Sequence, residues 1–119
     1  MRILLVDDER GFVEALAERL RLRGFDPELA HDAAGAISAI SAEPFEACVL
    51  DLRLPDASGV SVLRHARQTR PEMRVHMLTG HGNDQDRELC LGKGAVSFLH
   101  KPIAVDTLAA ILRGEREPA

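Results

Sequence analysis

The chain contains neither Trp nor Tyr, and its four Phe residues bring the aromatic content to only 3 %. A core of stacked rings is therefore excluded, and Leu, Val, Ile and Ala must supply the buried surface. Two cysteines, Cys48 and Cys90, are too few for a disulfide framework. Cys48 lies within an apolar run and reads as a small core residue. No apolar run approaches membrane-spanning length. The first run is cut short by Asp7, Asp8, Glu9 and Arg10, so no secretory leader is expected and the chain reads as cytoplasmic, with no membrane partner. There is no excess of positive charge either. A formal net charge of −4 argues against direct nucleic-acid binding, which needs a basic surface. Arg64, His65, Arg67 and Arg70 do gather locally, as a solvated helix face would. His31, His65, His76, His81 and His100 are scattered, and none forms the i, i+4 pair of a zinc site.

What is present is a regular alternation. At 119 residues, 45 % hydrophobic and 29 % charged, the chain suits one folded domain. Ile3-Leu4-Leu5-Val6 is a buried strand by its branched, unbroken apolar character. A helix follows through about Leu22, with Phe12, Leu16 and Leu20 on one face, and Gly24 is placed to end it in a left-handed conformation. Asp26 to Ala30 is a weaker strand, and Pro27, which lacks an N–H, assigns it to a sheet edge. Asp32 is a candidate N-cap for a helix carrying Ala33, Ala36, Ile37 and Ile40 and ending by Pro44. The stretch Glu46 to Asp56 begins as a third strand, stops at Asp51, and turns at Pro55, Asp56 and Gly59. The next helix starts near Ser58 and is expected to bury Val60, Leu63 and Ala66. Met73 to Leu78 is the fourth strand, closed by Thr79-Gly80-His81-Gly82-Asn83. The helix from about Asp84 to Leu91 has little apolar surface beyond Leu89 and Leu91, so weak anchoring and mobility are expected of it. A fifth strand, Ala95 to Leu99, closes on His100-Lys101-Pro102. Val105, Leu108, Ile111 and Leu112 stripe the last helix.

Five strand–helix alternations require a parallel sheet covered on both faces, joined by right-handed crossovers. With the weak second strand at an edge, the expected fold is α/β: a flavodoxin-like, doubly wound (βα)5 three-layer sandwich with strand order 2-1-3-4-5. Residues 1–113 form the domain, and 114–119 a tail or the start of a linker. Ligands in such folds sit outside the carboxyl ends of the strands. Asp7-Asp8, Asp51, Thr79 and Lys101 all fall there. Asp51 alone reads equally well as a strand end or turn cap, and Asp7-Asp8 as helix caps. Together, however, converging carboxylates repel by roughly 1 kcal/mol per pair at 4 Å in water and about 4 kcal/mol at an effective dielectric of 20. A hard divalent cation with oxygen ligands, Mg2+ being typical, would relieve that repulsion. A nucleophilic carboxylate, a metal held by neighbouring acids, a hydroxyl and a lysine are the parts of phosphoryl transfer onto Asp. The Lys101-Pro102 bond is a candidate for the cis form.

These residues carry a resemblance. Leu4-Leu5-Val6-Asp7-Asp8-Glu9, Val49 through Asp56, Leu78-Thr79-Gly80, and Gly94-Ala95 through Lys101-Pro102 resemble, in order and spacing, the receiver domain of bacterial two-component response regulators, over roughly Arg2 to Arg113. The resemblance implies that Asp51 accepts a phosphoryl group from a histidine kinase or phosphotransfer protein. It implies that Asp8 and Asp51, with Asp7 and the backbone carbonyl of Arg53, hold Mg2+ or Mn2+. Thr79 and Lys101 would contact the phosphoryl group. Thr79 and Phe98, the position of the switch aromatic, would couple phosphorylation to a surface of the fourth helix, fifth strand and fifth helix, used for an effector or a homodimer. Core packing is the other reading of Phe98. The domain would catalyse its own phosphorylation and dephosphorylation without being an enzyme in the usual sense. The Thr79-Gly80-His81-Gly82 loop resembles receivers attached to transcriptional regulators.

Other classes fit less well. An aspartate-nucleophile phosphatase of the haloacid-dehalogenase kind needs a second acid two residues after the nucleophile, where this chain has Arg53. A flavodoxin needs a hydroxyl-rich phosphate loop after strand one, where Asp7-Asp8-Glu9 would repel phosphate. A receiver-fold interaction module that works without phosphorylation is disfavoured by the intact acids, Thr79 and Lys101.

Overall fold

A computed structural model describes residues 1–114. Five strands, β1 (Arg2–Val6), β2 (Asp26–Ala30), β3 (Ala47–Leu50), β4 (Arg74–Thr79) and β5 (Ser97–His100), alternate with α1 (Arg10–Arg21), α2 (Ala33–Ala42), α3 (Gly59–Thr69), α4 (Asp84–Gly92) and α5 (Val105–Leu112). All strand pairs are parallel, and the order is β2-β1-β3-β4-β5, as the alternation and Pro27 require. The expected tail over 114–119 lies, Gly114 aside, outside the described residues.

Successive strand side chains point to opposite faces, and two apolar layers result. Leu4, Val6, Cys48, Leu50, Val75, Met77 and Phe98 pack with α2, α3 and Cys90 of α4. Ile3, Leu5, Ala47, Val49, Leu78 and Leu99 pack with α1 and α5. Cys48 is buried, and burial pushes its thiol up to about 12. Gly24 follows α1 with φ +89°, in the left-handed region.

Three details differ from expectation. The α1 stripe is Val13, Leu16, Ala17 and Leu20, with Phe12 half-buried at its margin. In α3 the buried set is Gly59, Val62, Leu63 and Ala66, an i, i+3, i+4, i+7 series, and Val60 flanks it. Gly59 leads that series because an added Cβ there would overlap the Asp51 carbonyl. In α4 the buried anchor is Cys90, whereas Leu89 is 46 % exposed. An Asn83–Asp86 capping box starts that helix, which compensates in part for its sparse packing.

Candidate functional site

The ladder continues one residue past β1 and β3: the Asp7 N–H donates to the Ala30 carbonyl at 3.0 Å and the Asp51 N–H to that of Val6 at 3.0 Å. Asp7 therefore extends the Ile3–Leu5 face and Asp51 the Ala47–Val49 face, so both carboxylates lie side by side toward α1. Both are buried, at 4 % exposure each, while Asp8 is exposed. One oxygen from each of Asp7, Asp8 and Asp51 can be chosen so that all lie within 4.8 Å of one another.

Lys101 reaches this cluster from the end of β5. Its N–H donates to the Thr79 carbonyl at 3.0 Å, which ties the two strand ends together. The Lys101-Pro102 bond is cis. The ammonium lies 2.8 Å from Asp7 Oδ2, 3.1 Å from Glu9 Oε1 and 3.3 Å from Asp51 Oδ2. It also sits over the Phe12 ring, 4.5 Å from the centroid. Burial opposes the charge on Lys101. Hydrogen bonds to Asp7 and Glu9, and the charges of Asp7 and Asp51, outweigh it and hold the ammonium well above the ordinary lysine pKa. For Asp7 burial wins: its carboxyl is raised even though Lys101 and the Glu9 N–H, 2.9 Å from Oδ1, pull it back.

Asp7 and Asp8 do not cap α1. The N-cap position is Glu9, with no side-chain cap hydrogen bond, so the carboxylates face the cluster instead. Thr79 is fully buried, and its Oγ1 accepts the His81 N–H at 3.2 Å. Phe98 is buried over the same loop: a Cβ added at Gly82 would run into its ring and approach Thr79 Cγ2 to 3.0 Å. Thr79 and Phe98 thus share the α4 side of the sheet, while Asp7, Asp51 and Lys101 share the α1–α5 side. Arg53 follows Asp51 in the turn, with its N–H 3.4 Å from Asp51 Oδ1. The structure thus gathers the predicted acids and lysine into one cluster and sets Thr79 and Phe98 together on the other side of the sheet. Sequence reasoning missed Glu9 and Phe12 as partners of Lys101. The run Asp7-Asp8-Glu9 was the available signal for the first, and no sequence signal marks the second.

Three oxygen donors, two of them buried, with Lys101 the only ammonium in contact with them among the described residues, fit a hard divalent cation. No softer ligand, Cys or His, enters the cluster among the described residues.

The chain belongs to the response regulator receiver domain family, whose model matches residues 3–113. Receivers are signalling proteins of two-component systems. Among curated proteins, the chain is similar to the response regulator MprA of Mycobacterium avium (strain 104), 37 % identical over 113 residues, covering 95 % of this chain and 50 % of that protein. The chain thus spans about half the length of the curated relatives it matches first. Among solved structures, a CheY-like receiver domain protein from Methanospirillum hungatei JF-1 superposes with a TM-score of 0.92 at 29 % identity, covering 95 % of this chain and 90 % of that one. A response regulator protein from Burkholderia pseudomallei, described with a phosphorylated aspartic acid, calcium ion and citrate, gives 0.89 at 32 % identity, covering 93 % of this chain and 65 % of that one. Among the described residues, no helix is long and apolar enough to cross a membrane.

Proposed function

We propose that residues 1–113 form a phosphorylation-dependent switch that accepts a phosphoryl group on Asp51 from a histidine kinase or phosphotransfer protein. The observation that carries this reading is the lysine ammonium lying between two buried carboxylates, Asp7 and Asp51, with Asp8 alongside. Asp51 is the nucleophile because, among the described residues, its Oδ1 is engaged only by a long 3.4 Å contact, and its Oδ2 lies 3.3 Å from a cation able to follow an incoming oxygen. A carboxylate oxygen attacks phosphorus, the bond to the donor's imidazole nitrogen breaks, and its electron pair stays on the imidazole. No general base is needed, since a carboxylate nucleophile has no proton to lose as it attacks. Asp7, Asp8, Asp51 and the Arg53 carbonyl would hold Mg2+ or Mn2+, which neutralises phosphoryl oxygens when bound. Lys101 can then leave its carboxylates for the phosphoryl group, and Thr79 can donate its hydroxyl to another oxygen. The B. pseudomallei protein, with its phosphorylated aspartic acid and calcium, supports this reading.

The output is movement of the Thr79 loop and Phe98, read on the surface formed by α4, β5 and α5 by an effector, with transcription control as one output, or by a second copy. Sparse packing makes α4 the element most easily biased. The domain works in the cytoplasm and contacts neither membrane nor nucleic acid itself. Incubation with a small acyl phosphate and Mg2+, followed by intact-mass measurement, should show one phosphate adduct that is lost in Asp51→Asn. An adduct that persists in Asp51→Asn, or none in the unaltered protein, refutes the assignment and favours a phosphorylation-independent interaction module.

A further inference from the structure

The turn after Asp51 is braced from outside itself. Within it, Arg53 and Ser58 form an isolated antiparallel bridge, the Leu54 N–H donates to the Ala57 carbonyl at 3.3 Å, and that of Gly59 to Leu52 at 2.6 Å. At its tip, Asp56 crosses to a different element. Its Oδ1 accepts the Ala33 N–H at 2.8 Å and its Oδ2 the Ala34 N–H at 3.0 Å. These are two of the unpaired donors at the N-terminus of α2, where a carboxylate is also favoured by the helix dipole. Asp32, the N-cap of that helix, takes a third donor, the Gly35 N–H at 2.7 Å. Asp56 is exposed, so neither burial nor apolar contact accounts for its placement. The two amide hydrogen bonds also hold its carboxyl below the usual range.

We propose that Asp56 is a positioning residue for the cation site: by fastening the tip of the β3–α3 turn to α2, it fixes the Arg53 carbonyl relative to Asp8 and Asp51. This rests on the cation site proposed above. A backbone carbonyl has no rotamer of its own, so it can be aimed only by holding the turn that carries it. Groups that orient metal ligands in this way change affinity although they touch no metal.

Mg2+ affinity of the full chain, measured by calorimetry, tests the clamp in Asp56→Ala, Asp56→Asn and Asp32→Ala. Asp56→Ala should raise the Mg2+ dissociation constant about tenfold, and Asp56→Asn, which keeps one acceptor oxygen, should fall between. Asp32→Ala weakens the same helix end without touching the turn and should leave affinity within about twofold, well short of that tenfold change. In metal-free protein, Asp56→Ala should also shift the Arg53 amide resonance and speed hydrogen exchange at Ala33 and Ala34. Unchanged affinity in Asp56→Ala, or an equal loss in Asp32→Ala, overturns the proposal. If the unaltered chain binds no Mg2+, the cation site fails, and an unmoved Arg53 resonance in Asp56→Ala overturns the clamp separately.

Discussion

Mild acid should destabilise this domain through a residue far from its chemistry. His76, in the middle of β4, is 1 % exposed. Its Nδ1 lies 2.8 Å from Ser97 Oγ, and its Nε2 is buried with no partner among the described residues. Burial first, and the Arg74 charge second, lower its pKa from 6.5 to about 4. The folded imidazole therefore binds fewer protons than the unfolded one between these values. This contribution to stability is fully present above about pH 6.5, falls as the unfolded chain takes up its proton, and is used up below about pH 4, where both states are charged. At 1.36 kcal/mol per pH unit, a gap of 6.5 to about 4 is worth about 3 kcal/mol. That is a large part of the roughly 5–15 kcal/mol that holds a domain together. Urea unfolding followed by circular dichroism from pH 7 to pH 4 measures it, since the chain has no Trp or Tyr to report by fluorescence. His76→Val removes the titration. The difference in stability between the two proteins should therefore close by about 3 kcal/mol, in favour of the variant, on going to pH 4. Stability curves that run parallel for both proteins would refute the argument.

Arg53 and His81 stand two residues past Asp51 and Thr79. Exchanging either for Ala should change phosphoryl lifetime while leaving stability within about 0.5 kcal/mol; equal dephosphorylation rates in all three proteins would contradict this. Gly82→Ala places a methyl group against the Phe98 ring and should cost about 1–3 kcal/mol by overpacking. Phe98→Ala should absorb most of that cost, so a double-mutant cycle by chemical denaturation should show strong coupling, and simple additivity would disprove the contact.

The architecture was legible because it rests on coarse signals: unbroken apolar strands, helix stripes, and Pro27 barring β2 from the sheet interior. The placement of the candidate site residues was legible for the same reason, since Asp7, Asp51, Thr79 and Lys101 sit at strand ends whose positions follow from the order alone. What escaped depended on side-chain reach. Asp56 reads in sequence as a turn former, and nothing local says that its carboxylate spans to Ala33 and Ala34. Glu9 and Phe12 meet Lys101 across about ninety residues of chain, as the 92-residue separation of Glu9 shows. The shift from Val60 to Val62 in α3 reflects helix phase, which is set by the close approach of Gly59 to the Asp51 carbonyl.

The division of side chains between the two faces of the sheet has an evolutionary consequence. Acids and lysine occupy one side, while Phe98, its glycine seat and the Thr79 methyl occupy the other. On the proposed function, the acids and lysine and the contact surface thereby lie on opposite sides of the sheet, with Thr79 belonging to both. Under that reading, substitutions among the acids that lengthen or shorten the signal need not redraw the contact surface, and a lineage could exchange partners while keeping its clock.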